Sequence, residues 1–343
     1  MGDLRLLDYK PRSELRVRET AIARASLPVI DVHNHMQPWT ESGRSLDELI
    51  ALMDDLNIQT IVNLAGPFGD TPDEAYAGYE RRCPERFVTF GWLDLSQLDR
   101  PDFETWTRME LSRQKELGLR GLKIWKALGL QWRDNRGLLI QPDDERLIPV
   151  WRTAAELGWP VLLHVADPVA FFKPIDEYNE RYDELGIHPD WSFYGRDYPR
   201  FDELMEALER LLARESGTTF ILAHVASYSE NLQHVAHLLD RYPNANVDIS
   251  ARFAELGRQP YTARDFFLKY EDRILYGLDS YPDRESYRLS FRFMETMDEY
   301  FPYSPDGPPS QGRWHIYGIG LPQATLAKVY RDNARRLIPG LAR

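Results

Sequence analysis

Short apolar runs alternate with longer amphipathic segments eight times along this chain, and few folds accommodate that order. Most of the runs are continuously apolar, which is typical of parallel strands buried on both faces. The segments between them have the apolar spacing of helices that pack one face on a sheet. The predicted strands are residues 27–32, 59–64, 86–93, 121–125, 160–165, 218–224, 245–249 and 273–278, and the predicted helices are residues 45–56, 71–82, 102–117, 144–157, 201–214, 229–242, 262–270 and 286–300.

Eight strand–helix units in succession predict a (β/α)8 TIM barrel of the α/β class. The fifth strand is followed by an insertion at residues 167–199 that is rich in aromatic residues. An insertion there should lie on the face of the barrel where active sites form, as a lid or pocket wall, as a surface hairpin or as an oligomer contact. We expect a single domain over residues 1–343, with an N-terminal strap at 1–26, a barrel over about 28–300, and an extension at 301–343 with a closing helix at 321–337.

Composition excludes several classes of partner. The formal net charge of −12 argues against nucleic acid and anionic membrane surfaces, which attract basic patches. A single cysteine, Cys83, allows no disulfide within the chain. No apolar run approaches the roughly 18–20 residues of a membrane-spanning helix, and the N-terminus lacks the apolar core of a signal peptide. We therefore expect a soluble, cytoplasmic protein that acts on a small molecule.

Side chains suited to metal chemistry close five of the predicted strands. Because the carboxyl ends of barrel strands meet at one face, we expect these side chains to converge. Three imidazoles and one carboxylate in a barrel mouth indicate a divalent-metal site, with zinc as the first candidate. The residues are His33 and His35 on strand one, Lys123 on strand four, His164 on strand five, His224 on strand six and Asp279 on strand eight; the other histidines, His188, His234, His237 and His315, are expected to have surface or packing roles.

The predicted site suits hydrolysis. A divalent metal lowers the pKa of a bound water to about 7. Asp279 could take the proton of that water and deliver it to the leaving group, and His224 could polarise the substrate carbonyl. Asp31, two residues before His33, is either a partner for a metal-bound histidine or a structural carboxylate.

The order His-x-His, Lys, His, His, Asp on strands one, four, five, six and eight resembles the amidohydrolase superfamily. The flanking residues resemble its amidohydrolase-2 branch of TIM-barrel, metal-dependent hydrolases and decarboxylases. The resemblance covers residues 28–280, and the tail Asp332-Asn333-Ala334 looks like the closing helix of that branch. It implies that the metal ligands are His33, His35, His164 and Asp279, and that His224 binds metal or acts on the substrate.

The same resemblance implies two alternative roles for Lys123. In binuclear members a strand-four lysine is carboxylated and bridges two metals, whereas in others it is free and contacts the substrate or a ligand. Burial depresses the pKa of a lysine and favours its reaction with CO₂. We expect one metal rather than two; zinc, manganese and iron all accept this ligand set. Lys126 is the weaker candidate for the same roles.

Substrate contacts are predicted from residues beside the strand ends. Arg252, just past strand seven, could hold a substrate carboxylate or form a salt bridge with an acidic neighbour. Aromatic residues could form pocket walls or pack as core: Trp125, Phe171, Phe172 and Tyr281.

Three functions compete. The first is a metal-dependent hydrolase that cleaves an amide, ester or lactone bond of a small molecule through a metal-activated water. The second is a non-oxidative decarboxylase or hydratase, a lyase on the same metal site. The third is a barrel that keeps the ligands but serves as a binding or structural module. The aromatic residues of the insertion are also consistent with a homodimer contact.

Overall fold

Eight parallel strands lie side by side in chain order in the computed structural model, which describes residues 3–5, 8–9, 11–66, 71–195, 197–279 and 282–341. Each strand pairs with the next one along the chain. The strands are β1 (Val29–Asn34), β2 (Ile58–Leu64), β3 (Phe87–Trp92), β4 (Leu122–Ile124), β5 (Val161–Leu163), β6 (Phe220–Leu222), β7 (Ala245–Asp248) and β8 (Ile274–Leu275).

The chain that follows β8 brings the last strand back to the first. The backbone N–H of Val32 donates to the carbonyl of Tyr276 over 2.9 Å, and the N–H of Asp279 donates to the carbonyl of His33 over 2.8 Å. The predicted TIM barrel is therefore confirmed. Six of the eight strands are shorter than the predicted runs. The strands β5, β6 and β8 end before His164, His224 and Asp279, whereas β1 and β4 include His33 and Lys123.

Helices occupy the connections between strands. They are α1 (Gln37–Glu41), α2 (Leu46–Leu56), α3 (Pro72–Ala75), α4 (Phe103–Leu117), α5 (Ala127–Leu130), α6 (Ile148–Glu156), α7 (Tyr182–Ile187), α8 (Phe201–Arg214), α9 (Ala223–Ala226), α10 (Leu232–Arg241), α11 (Phe253–Leu256), α12 (Pro260–Lys269), α13 (Arg284–Glu295), α14 (Gln323–Ala327) and α15 (Asn333–Leu337). Two π-helical turns, Tyr76–Glu80 and Lys328–Asp332, continue α3 and join α14 to α15.

Local signals explain where a helix begins and ends. The Ser45 side chain and Glu48 form a reciprocal capping box at the start of α2, and Asn57 ends that helix in the left-handed region at φ 63°. The predicted helix over 286–300 is wrong beyond α13. Thr296 is extended, and Asp298 instead accepts hydrogen bonds from the backbone and hydroxyl of Thr20 in the N-terminal strap.

The core has two layers. The larger layer lies between the outer faces of the strands and the helices, whereas a smaller cluster of alternate strand residues fills the barrel. Ala334 and Ile338, at and just after α15, pack into that inner cluster. The Asn333 side chain donates to the carbonyls of Glu271 and Ile274, so α15 covers the amino-terminal end of the barrel. Among the described residues, no helix has both the length and the apolar character needed to span a bilayer.

Candidate metal centre

The histidines and the carboxylate predicted at the strand ends meet at the barrel mouth. The Asp279 Oδ1 atom lies 3.2 Å from His33 Nε2 and 3.1 Å from His35 Nε2. The other oxygen, Oδ2, lies 3.6 Å from His224 Nε2. Three imidazoles carried by β1 and by the residues after β6 therefore surround one carboxylate carried by the chain after β8.

His164 stands beside this group. Its ring centroid lies 4.3 Å from that of His224. Its Nε2 atom is buried and has no hydrogen-bond partner among the described residues; the Asp167 Oδ1 atom is 3.7 Å away. Burial lowers the pKa of His164 to about 4, so the ring is neutral at pH 7. A neutral, unpartnered imidazole nitrogen is suited to binding a cation.

Asp248, which the sequence reasoning missed, supports two of these histidines from behind. Its Oδ2 atom accepts a hydrogen bond from His33 Nδ1 over 2.9 Å, and its Oδ1 atom accepts one from the backbone N–H of His224 over 3.1 Å. Burial alone would raise the pKa of Asp248, but His33 and His224 hold it well below its ordinary value. A carboxylate in the apolar strand β7 was the sequence signal that could have revealed it.

Hydrogen bonds to Asp248 and to the Ser250 carbonyl fix which ring nitrogen of His33 and of His224 carries the proton. The Ser250 carbonyl can only accept, so the 2.9 Å contact requires a proton on His224 Nδ1. The Nε2 lone pair of His224 then faces Asp279. A hydrogen bond to Asp248 likewise holds Nδ1 of His33. Lone pairs that face a carboxylate repel it unless a cation or a proton lies between them.

Electrostatics around His33 is consistent with that need for positive charge. Burial and the nearby Lys123 lower the pKa of His33, but the Asp279 and Asp248 carboxylates outweigh both and leave it raised. Two groups of described residues could each hold a metal ion: His33 with His35 and Asp279, and His33 with His224 and Asp248. Within each group the ligand atoms all lie within 4.8 Å of one another. The donor set of nitrogen and oxygen atoms fits a divalent cation.

Lys123 is fully buried within the same site. Its Nζ atom lies 3.4 Å from His33 Nε2. Burial lowers its pKa to about 8, although Asp279 and Asp248 oppose the shift. Lys126, the weaker candidate, instead donates to Asp167 over 2.6 Å.

The backbone of the mouth is strained. His224 and the three residues after it all have positive φ, from 55° to 60°, and so do Ala251 at 52° and Asp279 at 62°. Left-handed conformations cost non-glycine residues about 1–2 kcal/mol each, and such residues cluster at functional sites. The chain therefore holds these side chains in place at a cost in stability.

Asp31 is a structural carboxylate rather than a partner for the ring of a metal-bound histidine. It contacts the backbone rather than the ring of His33 and accepts a 2.6 Å hydrogen bond from the Tyr287 hydroxyl. Burial raises its pKa to about 6, against hydrogen bonds from Tyr287 and Asn34. Asp31 thus joins β1 to α13.

The predicted substrate residues lie in different settings. Arg252 is buried, and its Nη1 atom donates to the Ala251 carbonyl over 2.7 Å. Among the described residues its Nε atom has no partner and no carboxylate lies within 4.0 Å, so the predicted salt bridge is not found. The Trp125 ring lies 5.0 Å from the His35 ring, at the mouth. Phe172 stacks on Phe193 inside the insertion, where Phe171 is buried. Tyr281 lies outside the described residues.

The remaining histidines do not contact the cluster. His188 stacks on Trp191 and His315 stacks on Tyr300. His234 lies on α10 with its Nε2 atom 4.0 Å from Glu209, and His237 is exposed on the same helix. Their predicted surface and packing roles agree with these positions.

Comparison with known proteins gives a family and a set of structures with the same fold. A family model described as amidohydrolase matches residues 30–340, and no curated protein matches the chain. The 2,6-dihydroxybenzoate decarboxylase from Rhizobium is similar at 19% identity, with a TM-score of 0.55, over 91% of this chain and 98% of that chain. A dihydroxybenzoic acid decarboxylase from Polaromonas sp. JS666, with bound manganese and the inhibitor 2-nitroresorcinol, is similar at 17% identity, TM-score 0.56, over 91% and 97%. A probable 2-pyrone-4,6-dicarboxylic acid hydrolase from Acinetobacter baumannii is similar at 14% identity, TM-score 0.52, over 91% and 99%.

Proposed function

The chain belongs to the amidohydrolase family, and we propose that it is a metal-dependent hydrolase that cleaves an amide, ester or lactone bond of a small molecule. One observation carries the proposal: three imidazole Nε2 atoms lie 3.1–3.6 Å from the Asp279 carboxylate, and outer hydrogen bonds hold Nδ1 of two of these rings. This arrangement directs lone pairs and negative charge at a common point, as a cation site does.

We propose that His33, His35, His164 and Asp279 are the metal ligands. His224 joins them as a ligand rather than as a donor to the substrate, because the proton on its Nδ1 leaves Nε2 without one. Zinc is the first candidate, and manganese or iron would accept the same atoms. We favour one ion, since the two candidate sets of ligand atoms share His33.

A bound divalent ion would lower the pKa of a water to about 7 and so supply hydroxide at neutral pH. In the proposed reaction the Asp279 carboxylate takes the proton from that water and returns it to the leaving group. Lys123, whose amine is buried beside His33, donates a hydrogen bond to the substrate oxygen on which charge develops.

The test combines metal content with turnover. The purified chain is analysed for bound metal, stripped with a chelator and reloaded with zinc, manganese or iron. It is then assayed on esters, lactones, amides and aryl acids. We expect about one ion per chain and metal-dependent acid release from a hydrolysable substrate. Failure to retain any metal would contradict the proposed site, and a loaded protein that turns over nothing would favour a binding module.

A second candidate function rests on Arg252. A buried guanidinium with no carboxylate within 4.0 Å among the described residues would suit the carboxylate of an aryl acid, the substrate of the proposed decarboxylase or hydratase. Trp125, Phe172 and Tyr281 are the proposed aromatic walls of that pocket. Two of the similar structures are named as dihydroxybenzoate decarboxylases. Release of CO₂ from an aryl acid, with a KM that rises in Arg252→Gln, would establish this reaction instead.

We also propose a homodimer that is formed through the insertion. This segment exposes large apolar side chains, namely Tyr178, Tyr182, Ile187 and Trp191. Light scattering of the wild type and of an Ile187→Glu variant tests it, and a monomeric wild type would contradict it. The single domain and the cytoplasmic location remain predictions from the sequence.

A further inference from the structure

A cavity of about 580 Å³, here called the second site, lies outside the proposed metal centre. Its walls come from the insertion, from the chain after β6 and from the chain after β7. The lining residues that matter here are Lys173, Glu180, Tyr228, Glu230, Glu255 and Arg258. None of the proposed metal ligands lines it.

Glu255 is a buried carboxylate with one unpartnered oxygen. Only 1% of the residue is exposed. Its Oε1 atom forms an ion pair with Arg181, whereas its Oε2 atom has no hydrogen-bond partner among the described residues. Arg181 is shared, because it also donates to Glu184 over 2.7 Å. One guanidinium therefore serves two carboxylates.

The hydrogen bonds of Glu230 come from uncharged groups. Its Oε1 atom accepts from the backbone N–H of Val169 over 3.0 Å, and its Oε2 atom accepts from the Ser229 hydroxyl over 3.2 Å. Among the described residues no basic side chain lies within 4.0 Å of it. Burial and repulsion from Glu255 raise the pKa of Glu230, while Arg252 lowers it.

The other charges of the wall do not compensate. Arg258 forms a bidentate ion pair with Glu180, at 2.8 and 3.2 Å, and lies over the Trp314 ring. Lys173 is exposed. Two buried carboxylates, Glu184 and Glu255, and the half-buried Glu230 thus lie near two buried guanidiniums, Arg181 and Arg252.

We propose that this cavity binds a positively charged nitrogen group, an ammonium or a guanidinium, between Glu230 and Glu255. A buried group of charges that is one positive charge short is stabilised by a cation that enters it. Tyr228 lines the same cavity, and aromatic rings also attract cations. Carboxylates and an aromatic ring together are the chemistry by which proteins recognise amines.

The two carboxylates of the cavity follow the metal-centre residues closely in the chain. Glu230 lies six residues after His224, and Glu255 lies five residues after Ser250, whose carbonyl accepts a hydrogen bond from His224 Nδ1. The same strand ends therefore serve both places. If the proposed function holds, the substrate carries a cationic group on the side of the molecule away from the bond that is cleaved. Binding of a cation in the cavity does not itself depend on that function.

Calorimetric titration tests the cavity directly. The probes are pentylamine and agmatine, with 1-pentanol as the uncharged match of pentylamine. We expect both cations to bind and the alcohol not to bind. Glu230→Gln and Glu255→Gln should each weaken the binding about tenfold, because each removes a charge but keeps the shape. Glu177→Gln, an exposed residue of the insertion that does not line the cavity, should leave it unchanged.

Two further results separate this inference from the proposed function. His33→Ala should bind the amines as the wild type does, even where it has lost metal and turnover. If Glu255→Gln fails to fold because Arg181 loses its partner, Glu230→Gln decides alone. Equal binding of pentylamine and 1-pentanol, or amine binding as tight in Glu230→Gln as in the wild type, would overturn the proposal.

Discussion

The two ends of the barrel are built differently. At the amino-terminal end, Ala334 and Ile338 pack into the inner cluster, and Asn333 satisfies two backbone carbonyls near β8. At the carboxyl-terminal end buried polar groups converge, and the His164 Nε2 atom has no partner in the part of the chain that the structure describes. Residues such as His224 and Asp279 adopt positive φ there. Apolar side chains from α15 close the first end, whereas the second end is polar and its backbone is strained.

This contrast separates stability from chemistry. Strained backbone and unsatisfied polar groups lower the free energy of unfolding, so they persist only where the rest of the fold compensates for them. The closed end supplies part of that compensation through apolar burial. Substitutions at the two ends should therefore have opposite signatures: loss of metal or turnover at the mouth, and loss of stability at the base.

The largest effect is expected at the mouth. His33→Ala or Asp279→Ala should reduce metal content and turnover by orders of magnitude, because each removes a proposed ligand, while the thermal midpoint of the metal-free protein changes little. Elemental analysis, turnover and a melting curve measure the three quantities. His234→Ala on α10 is the control and should be close to silent. A large loss in the control would show that the histidines are wrongly assigned.

At the base, Ile338→Ala should lower the free energy of unfolding by about 3 kcal/mol, because the truncated side chain leaves a cavity in the inner cluster. The metal content of the folded protein should stay at the wild-type value. Denaturant unfolding gives the first quantity and elemental analysis the second. Met109→Ala, at an exposed position of α4, is the matched control and should cost far less. Loss of metal in folded Ile338→Ala would mean that the two ends are not independent.

Asp248→Asn tests the support behind the ligands. The amide keeps the shape but loses the charge that orients His33 and holds the backbone of His224. We expect metal affinity to fall about 10–100-fold while the site can still be filled at high metal concentration. Competition with a chelating dye measures this, and Asp265→Asn on the exposed side of α12 is the control. An unchanged affinity would reduce Asp248 to a structural role.

The same contrast explains what the sequence could predict. The order of strands and helices could be predicted because apolar runs are local features of the sequence. The histidines and the carboxylate of the site could be predicted because the barrel topology brings the strand ends together. Asp248 was missed because its role depends on His33, which lies 215 positions away in the chain. Its position in an apolar strand gave no sign of which ring it supports.

The errors at helix boundaries have a similar origin. Apolar spacing continues past Glu295, but the chain leaves the helix where Asp298 binds the strap through Thr20. The second site was also beyond prediction, because Glu230 and Glu255 face it from different strand connections. Local periodicity does not encode contacts made between distant segments.

The smallest effect should come from the strap contact, and it should depend on pH. Arg292 and Thr20 outweigh burial and hold the pKa of Asp298 below its ordinary value of 3.8. A carboxyl group with a lowered pKa stabilises the fold fully above its unfolded value, and this contribution is lost as the pH falls through the folded value. Asp298→Asn should therefore lower the free energy of unfolding by about 1–2 kcal/mol at pH 7, and its difference from wild type should shrink below about pH 4. Denaturant unfolding of both proteins at several pH values measures this, with exposed Asp306→Asn as the control. A difference that stays constant from pH 7 to pH 3 would show that the charge of Asp298 does not hold the strap.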